Sequence, residues 1–111
     1  MSRDWRLYAK DIQEKSRYIQ RALSRLNEIS EYLSDESIQL SVERAFEIIG
    51  EAAKHLPAEE KEKYGHIPWK AIIGMRDQLA HGYHKLDEEI IWHTGRNELD
   101  ALLAAVDKML Q

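Results

Sequence analysis

The sequence predicts an all-α protein, because its apolar residues recur with the period of a helix. Every long segment of the 111 residues carries apolar side chains three and four positions apart, and none shows convincing strand alternation. With 43% hydrophobic residues, the chain is large enough for one core but not for two. We therefore expect a single compact helical domain over residues 1–111, built from four principal helices.

The first two helices are predicted in the N-terminal half of the chain. The first runs from about Asp4 to Leu33, where Ser34 and Asp35 interrupt the pattern. Asp35 can cap the second helix, and Pro57 marks its end. This second helix has the cleanest apolar stripe of the chain, formed by Ile38, Val42, Ala45, Phe46, Ile49, Ala53 and Leu56.

Two more helices follow a polar connector. Residues 57–67 form this connector, which has room for one helical turn. Pro68 suits the first position of a third helix, which is expected to run to about His81. Asp87 can cap a fourth helix that continues nearly to the end of the chain.

Composition excludes several classes of protein. The chain lacks cysteine, which rules out disulfide frameworks and thiolate metal sites. No apolar run reaches the roughly 18 to 20 residues of a membrane span, and no signal-peptide stretch is seen at the N-terminus. A soluble cytoplasmic protein is expected.

The charge distribution is uneven. The formal net charge of −4 argues against a general nucleic-acid coat protein, which would need to neutralise many phosphates. Between Gly65 and Leu86, however, three cations face one anion. A polyanion is expected to meet this segment first, and Lys70, His84 and Lys85 are its candidate RNA-binding residues.

The segment from Arg76 to Tyr83 concentrates the reactive side chains. A guanidinium, an imidazole and a phenol lie within little more than two helical turns, at Arg76, His81 and Tyr83. A guanidinium can hold two phosphate oxygens, and a histidine can move the proton that phosphodiester cleavage requires. Phosphate chemistry is therefore the first hypothesis.

Two acidic residues are candidate partners of these groups. Arg76 falls in the middle of an apolar stripe and so needs an acceptor, such as Glu51, another chain or a bound phosphate. Asp77 lies four residues before His81 and can fix its tautomer. Each contact can also be purely structural: an Arg76 bridge to Glu51 without a catalytic role, or a solvated Asp77–His81 pair.

The spacing of Arg76 and His81 raises a geometric difficulty. Five residues on an ideal helix separate two side chains by about 140°, so one helix does not aim both at the same atom. A distorted helix end, a swinging arginine side chain or two paired copies sharing a cleft would each resolve this.

The motif and its surroundings resemble the HEPN superfamily, specifically the HepT-like toxins of HepT–MNT toxin–antitoxin pairs. Arg76-x4-His81-x-Tyr83 looks like the R-x4-H-x-Y motif of that family. The block Ile67-Pro68-Trp69-Lys70 followed by Gly74-Met75-Arg76-Asp77 is similar to the family's entry into its active helix. The block from Arg44 to Ala53 is similar to the preceding helix, so the likeness covers nearly the whole chain.

The resemblance implies a homodimeric, antiparallel four- to five-helix HEPN-type bundle acting as a metal-independent endoribonuclease without a cofactor. Arg76 and His81 would be catalytic, with Asp77 and Glu51 in support. Tyr83 would be the residue to which a partner MNT-type nucleotidyltransferase attaches AMP, which neutralises the toxin.

Two other functions remain open from the residues alone. One is a non-catalytic nucleotide- or RNA-binding subunit of a nucleotidyltransferase complex, which would bind without cleaving. The other is a purely structural dimerising bundle. A zinc site at His81 and His84 would lack a well-spaced third ligand, so no metal site is expected.

Overall fold

The chain is built from α-helices throughout the part that the structure describes. This computed structural model describes residues 3–81 and 87–111, with residues 80 and 81 described by their backbone alone. Within these ranges there are seven helices and no strand, which confirms the all-α prediction. The helices are α1 Trp5–Ser24, α2 Ile29–Leu33, α3 Glu36–Lys54, α4 Ala58–Lys63, α5 Trp69–His81, α6 Glu88–Asn97 and α7 Leu99–Met109.

Helix α3 is the centre of the bundle, since it packs against α1 on one side and against α5 on the other. Helix α1 also packs against α6 and α7. The apolar side chains between these helices are fully or almost fully removed from water. They include Ile12, Ile19 and Leu23 of α1, Val42, Phe46 and Ile49 of α3, and Leu102 and Val106 of α7.

The predicted helix starts agree well with the structure. The Asp35 carboxylate accepts a hydrogen bond from the Ile38 amide at 3.0 Å and so caps α3. Asp87 caps α6 in the same way, by accepting from the Glu89 amide at 2.9 Å. The connector holds a short helix, α4, and α5 begins directly after Pro68. Side chains that bond locally to the backbone therefore marked these boundaries correctly.

Two helix ends were missed. The predicted first helix is two helices, because α1 ends at Ser24 and α2 begins only at Ile29. Arg96 of α6 donates to the carbonyl oxygens of Leu23 and Leu26, which satisfies this helix end from outside. The predicted fourth helix is also divided, at Glu98. Apolar periodicity continues across both breaks and therefore hid them.

The start of α5 is fixed by Trp69. Its indole N–H lies within hydrogen-bond distance of the carbonyl oxygens of Lys61 at 3.1 Å and Tyr64 at 3.2 Å. The Lys61 ammonium in turn donates to the Ala53 carbonyl at the end of α3. These bonds tie α3, α4 and α5 together and set the position of the helix that carries Arg76. No helix in residues 3–81 or 87–111 is long and apolar enough to cross a membrane.

Candidate active site

The site is organised by a close approach of α5 to α3 at Gly50. A Cβ atom built on Gly50 would overlap the Cβ of Arg76 and come within 2.9 Å of the Ile72 carbonyl oxygen. Gly50 is buried, so its missing side chain is what lets the two helices approach here. The stem of Arg76 therefore packs directly against α3, and its guanidinium reaches the side chain of the adjacent Glu51.

The Arg76 guanidinium meets two carboxylates. Its Nε atom lies 2.8 Å from Oε2 of Glu51, and its Nη1 atom donates to Oδ1 of Asp77 at 3.2 Å. The side chain of Arg76 is only 23% exposed. The partner predicted for this residue, Glu51, is therefore at the expected place on the neighbouring helix.

The contact between Arg76 and Glu51 is an ion pair without an aligned hydrogen bond. Both Nε of Arg76 and Oε2 of Glu51 are buried, and neither makes a hydrogen bond in the described part of the chain. The short separation gives Coulombic attraction, but the N–H does not point along it. The guanidinium is thus held near Glu51 through a buried nitrogen, and a further acceptor has to be met by its terminal Nη groups.

Asp77 is held ionised by two cations. The hydrogen bond from Arg76 is the main cause that lowers the pKa of the Asp77 carboxyl, and Lys54 lowers it further. The Lys54 ammonium lies 3.4 Å from the same oxygen, Oδ1. The predicted contact of Asp77 with the His81 ring involves a side chain outside the described residues.

The second oxygen of Glu51 leads to residues that the sequence did not single out for the site. Nε2 of His55 lies 3.3 Å from Oε1 of Glu51, and the His55 ring stacks on Tyr8 with centroids 4.4 Å apart. The Arg3 guanidinium lies 4.6 Å from the centre of the Tyr8 ring. The four-residue spacing of Glu51 and His55 was the available signal.

A groove of about 220 Å³ opens between α1 and α3 beside these groups. Three guanidiniums line it, those of Arg3, Arg44 and Arg76, and each faces a carboxylate. Arg3 pairs with Asp11 at 2.8 Å, and Arg44 pairs with Glu47 at 3.0 Å. An incoming phosphate must therefore compete with carboxylates for each of these cations.

Of the remaining predicted site residues, only Lys70 has a side chain that the structure describes. Lys70 is exposed in the first turn of α5, as an RNA-contacting residue needs to be. Tyr83, His84 and Lys85 lie outside the described residues, as does the side chain of His81. The structure thus assembles Arg76, Glu51 and Asp77 and leaves the other assignments as predictions.

A second, apolar groove lies on another side of α5. It has a volume of about 450 Å³ and is bounded by α3, α5, α6 and α7. Ala71, Ile72 and Met75 of α5 face Ile90 of α6 and Leu99 of α7 across it. Ile90 is 56% exposed, which is unusual for so large an apolar side chain beside an apolar groove.

Comparison with known proteins identifies a single family. The model of the family described as ribonuclease HepT-like matches residues 12–109. A probable ribonuclease HepT from Thermococcus cleftensis is 34% identical over 98% of each chain. A candidate RNase from Caldanaerobacter subterraneus is 42% identical over 73% of this chain and 72% of its own length. No solved structure matches.

Proposed function

Because the chain belongs to the HepT-like ribonuclease family, and is thus an endoribonuclease, we propose that it cleaves RNA at a composite site of Arg76 and His81. The observation that carries this proposal is the anchoring of Arg76. Its stem packs against Gly50, its Nε atom is buried against Glu51, and the residue lines the groove between α1 and α3, where an RNA phosphate would enter.

The chemistry needs no metal ion. His81 would remove the proton of the ribose 2′-hydroxyl or return a proton to the leaving 5′-oxygen. Arg76 would hold the non-bridging oxygens and stabilise the negative charge that gathers on them in the transition state. Two parallel N–H bonds to phosphate suit a guanidinium better than its poorly aligned contact with Glu51. Binding of the RNA phosphate would thus give the Arg76 guanidinium a better-aligned hydrogen-bond partner than Glu51.

A second copy of the chain would complete the site. On the helical backbone of α5, positions 76 and 81 point about 140° apart. Arg76 of one protomer and His81 of its partner can face one phosphate if two α5 helices lie side by side. The apolar groove beside Met75 supplies a surface for such pairing, because stable homodimers bury apolar patches.

We propose that the enzyme is controlled at Tyr83. Tyr83 follows His81 by two residues, so a nucleotide attached to its hydroxyl would place a bulky negative charge beside the site. We assign this modification to a partner nucleotidyltransferase that acts as antitoxin, with the present chain as the toxin. Intact-mass measurement after co-expression should show an adenylyl gain that Tyr83→Phe abolishes.

Purified protein with a labelled RNA tests the proposal directly. Arg76→Ala and His81→Ala should each lower cleavage by at least a hundredfold, and a chelator should leave wild-type cleavage unchanged. Lys63→Ala, an exposed change on α4, is the matched control and should cleave normally. Cleavage retained in both site variants would refute the proposal. RNA binding with no cleavage by the wild type would instead indicate a non-catalytic binding subunit.

A further inference from the structure

The strongest concentration of positive charge is in the first helix and not in the segment that carries the motif. Residues 3–25 contain seven cations and three carboxylates, a net charge of +4. The other residues therefore carry −8, because the whole chain carries −4. The seven cations are Arg3, Arg6, Lys10, Lys15, Arg17, Arg21 and Arg25.

Four of these cations form one stripe on the solvent side of α1. At 100° per residue, Arg6, Lys10, Arg17 and Arg21 lie within about 60° of one another. All four are exposed, and the buried face of α1, with Ala9, Ile12, Ser16, Ile19 and Leu23, points the other way. We call this stripe the basic face. It is about 23 Å long, enough to follow several phosphates of a single strand.

Most cations of the basic face are available to bind a phosphate, because they have no close carboxylate partner. Lys10 and Arg21 have no carboxylate within 4 Å among the residues that the structure describes. Arg6 and Arg17 have only loose partners, Asp4 and Asp107, each at 3.6 Å. Such exposed pairs contribute little and open easily. The arginines of the groove, in contrast, sit closer to their carboxylates.

The basic face and the groove that contains Arg76 both reach the N-terminal end of α1, on different sides of the helix: Tyr8 and Asp11, which line the groove, lie about 140° around α1 from the basic face. Arg3, which precedes α1, lines the same groove as Arg76, and Arg6 begins the basic face three residues later. A shallow depression follows the face, lined by Lys10, Glu14, Arg17 and Arg21. A strand with one phosphate at Arg76 would pass around the N-terminus of α1 at Arg3 to continue along the basic face.

We propose that the basic face of α1 binds the RNA backbone on one side of the scissile linkage, an inference that rests on the ribonuclease function proposed above. Phosphate neutralisation supplies most of the affinity of such contacts without reading sequence. A lipid surface fits less well, because an interfacial helix inserts its apolar face and the apolar face of α1 is packed in the core. Glu14 is the one carboxylate in the stripe and should oppose RNA binding.

The test compares two double variants with the same change of net charge. Lys10→Gln with Arg21→Gln removes two basic-face cations, while Lys63→Gln with Lys108→Gln removes two exposed cations from α4 and α7. Both are made in the His81→Ala background, so that binding of a single-stranded RNA is measured without cleavage. Affinity is recorded between 50 and 200 mM salt, a range chosen because phosphate contacts respond to it.

The basic-face variant should bind on the order of tenfold more weakly and lose about 1.4 from the slope of log affinity against log salt. The control pair should keep the wild-type slope, and Glu14→Gln should bind RNA a few-fold more tightly. Equal slopes in the two double variants would overturn the inference, as would binding of the basic face to anionic vesicles or an acidic peptide in preference to RNA. Cleavage by the His81-containing protein is scored separately, so failure of this inference leaves the proposed function standing.

Discussion

Two of the four glutamates of helix α3, Glu51 near its C-terminal end and Glu43 near its middle, have different electrostatic surroundings. Glu51 faces Arg76 and His55, and it belongs to a cluster in which Asp77 is held ionised by Arg76 and Lys54. Glu43, about two turns earlier, lies beside another carboxylate. Burial, followed by the neighbouring Glu88, raises the pKa of Glu43 to about 7.

Glu43 lies in an acidic cluster with Glu88 and Tyr32, in which the two carboxylates share one proton. The fully buried Tyr32 donates its hydroxyl hydrogen to Oε2 of Glu88 at 2.6 Å, and burial together with this bond raises the pKa of Tyr32. Two neighbouring carboxylates repel each other when both are ionised, which favours one protonated carboxyl in the pair of Glu43 and Glu88. A carboxylate opposed by cations, as Asp77 is, thus has a lowered pKa, whereas one beside another carboxylate, as Glu43 is, has a raised pKa. Charge at the candidate site is therefore organised by Arg76.

The largest effect should come from replacing Arg76 by lysine. Arg76→Lys keeps the positive charge but loses the fork of donors, so it should lower kcat by about a hundredfold and leave folding intact. Cleavage assays beside circular dichroism check this. Near-normal kcat would mean that charge alone, and not the guanidinium geometry, supports cleavage.

Next in size is the loss of the close approach at Gly50. Gly50→Ala should lower the free energy of unfolding by about 1–3 kcal/mol through overpacking, and should lower kcat at least tenfold at a temperature where the variant is folded. Gly74→Ala on α5 is the control, since its new methyl group meets nothing within 4 Å. That variant should be as stable as the wild type or more so.

A second control separates general destabilisation from displacement of Arg76. Gly95→Ala brings a methyl group to within 2.5 Å of Leu23 Cδ1, far from the site. It should reduce stability but retain kcat. If Gly50→Ala and Gly95→Ala lose activity in the same proportion to stability, Gly50 has no special role in placing Arg76.

The raised pKa of Glu43 predicts that the stability of the protein depends on pH. The folded-state pKa of Glu43 is raised from 4.5 to about 7, so its stabilising contribution is complete below 4.5 and is lost as the pH rises through 7. Because the group is partly exposed, the loss should be about 1 kcal/mol. Glu43→Gln should flatten the dependence between pH 4.5 and 7, as followed by urea unfolding. An unchanged slope would contradict the shared proton.

The smallest expected effect is that of Asp77→Asn. Removing this carboxylate frees Arg76 from a competing acceptor, so RNA should bind a few-fold more tightly and KM should fall. The lowered pKa of Asp77 gives a contribution to stability that is present near neutral pH and lost as the pH falls. If Asp77 also orients the His81 ring, Asp77→Asn should lower kcat as well as KM. An unchanged kcat would remove that role.

Local rules predicted much of this molecule, and tertiary contacts account for what they missed. The stripe position of Arg76 required an acceptor, and Glu51 on the neighbouring helix supplies it. Caps at Asp35 and Asp87 followed from side-chain chemistry within a few residues. The helix break after Ser24, in contrast, is satisfied by Arg96, more than 70 residues away. No local pattern contains that bond.

The candidate site also contains features that only tertiary contacts reveal. Gly50 looks like a weak point in a helix when it is read alone, and its importance emerges only once Arg76 lies on top of it. Tyr32, Glu43 and Glu88 come from three different helices, so their cluster could not be inferred from spacing. The basic face of α1, in contrast, follows directly from the spacing of its cations in the sequence.

Mixing two inactive variants would show whether Arg76 and His81 of different protomers form one active site. If Arg76 of one protomer works with His81 of its partner, an Arg76→Ala protomer paired with a His81→Ala protomer forms one complete site. After subunit exchange, an equal mixture should regain about a quarter of the wild-type cleavage, since half of the dimers are mixed and each holds one intact site of two. A mixture that stays as inactive as its components, despite verified exchange, would contradict the composite site.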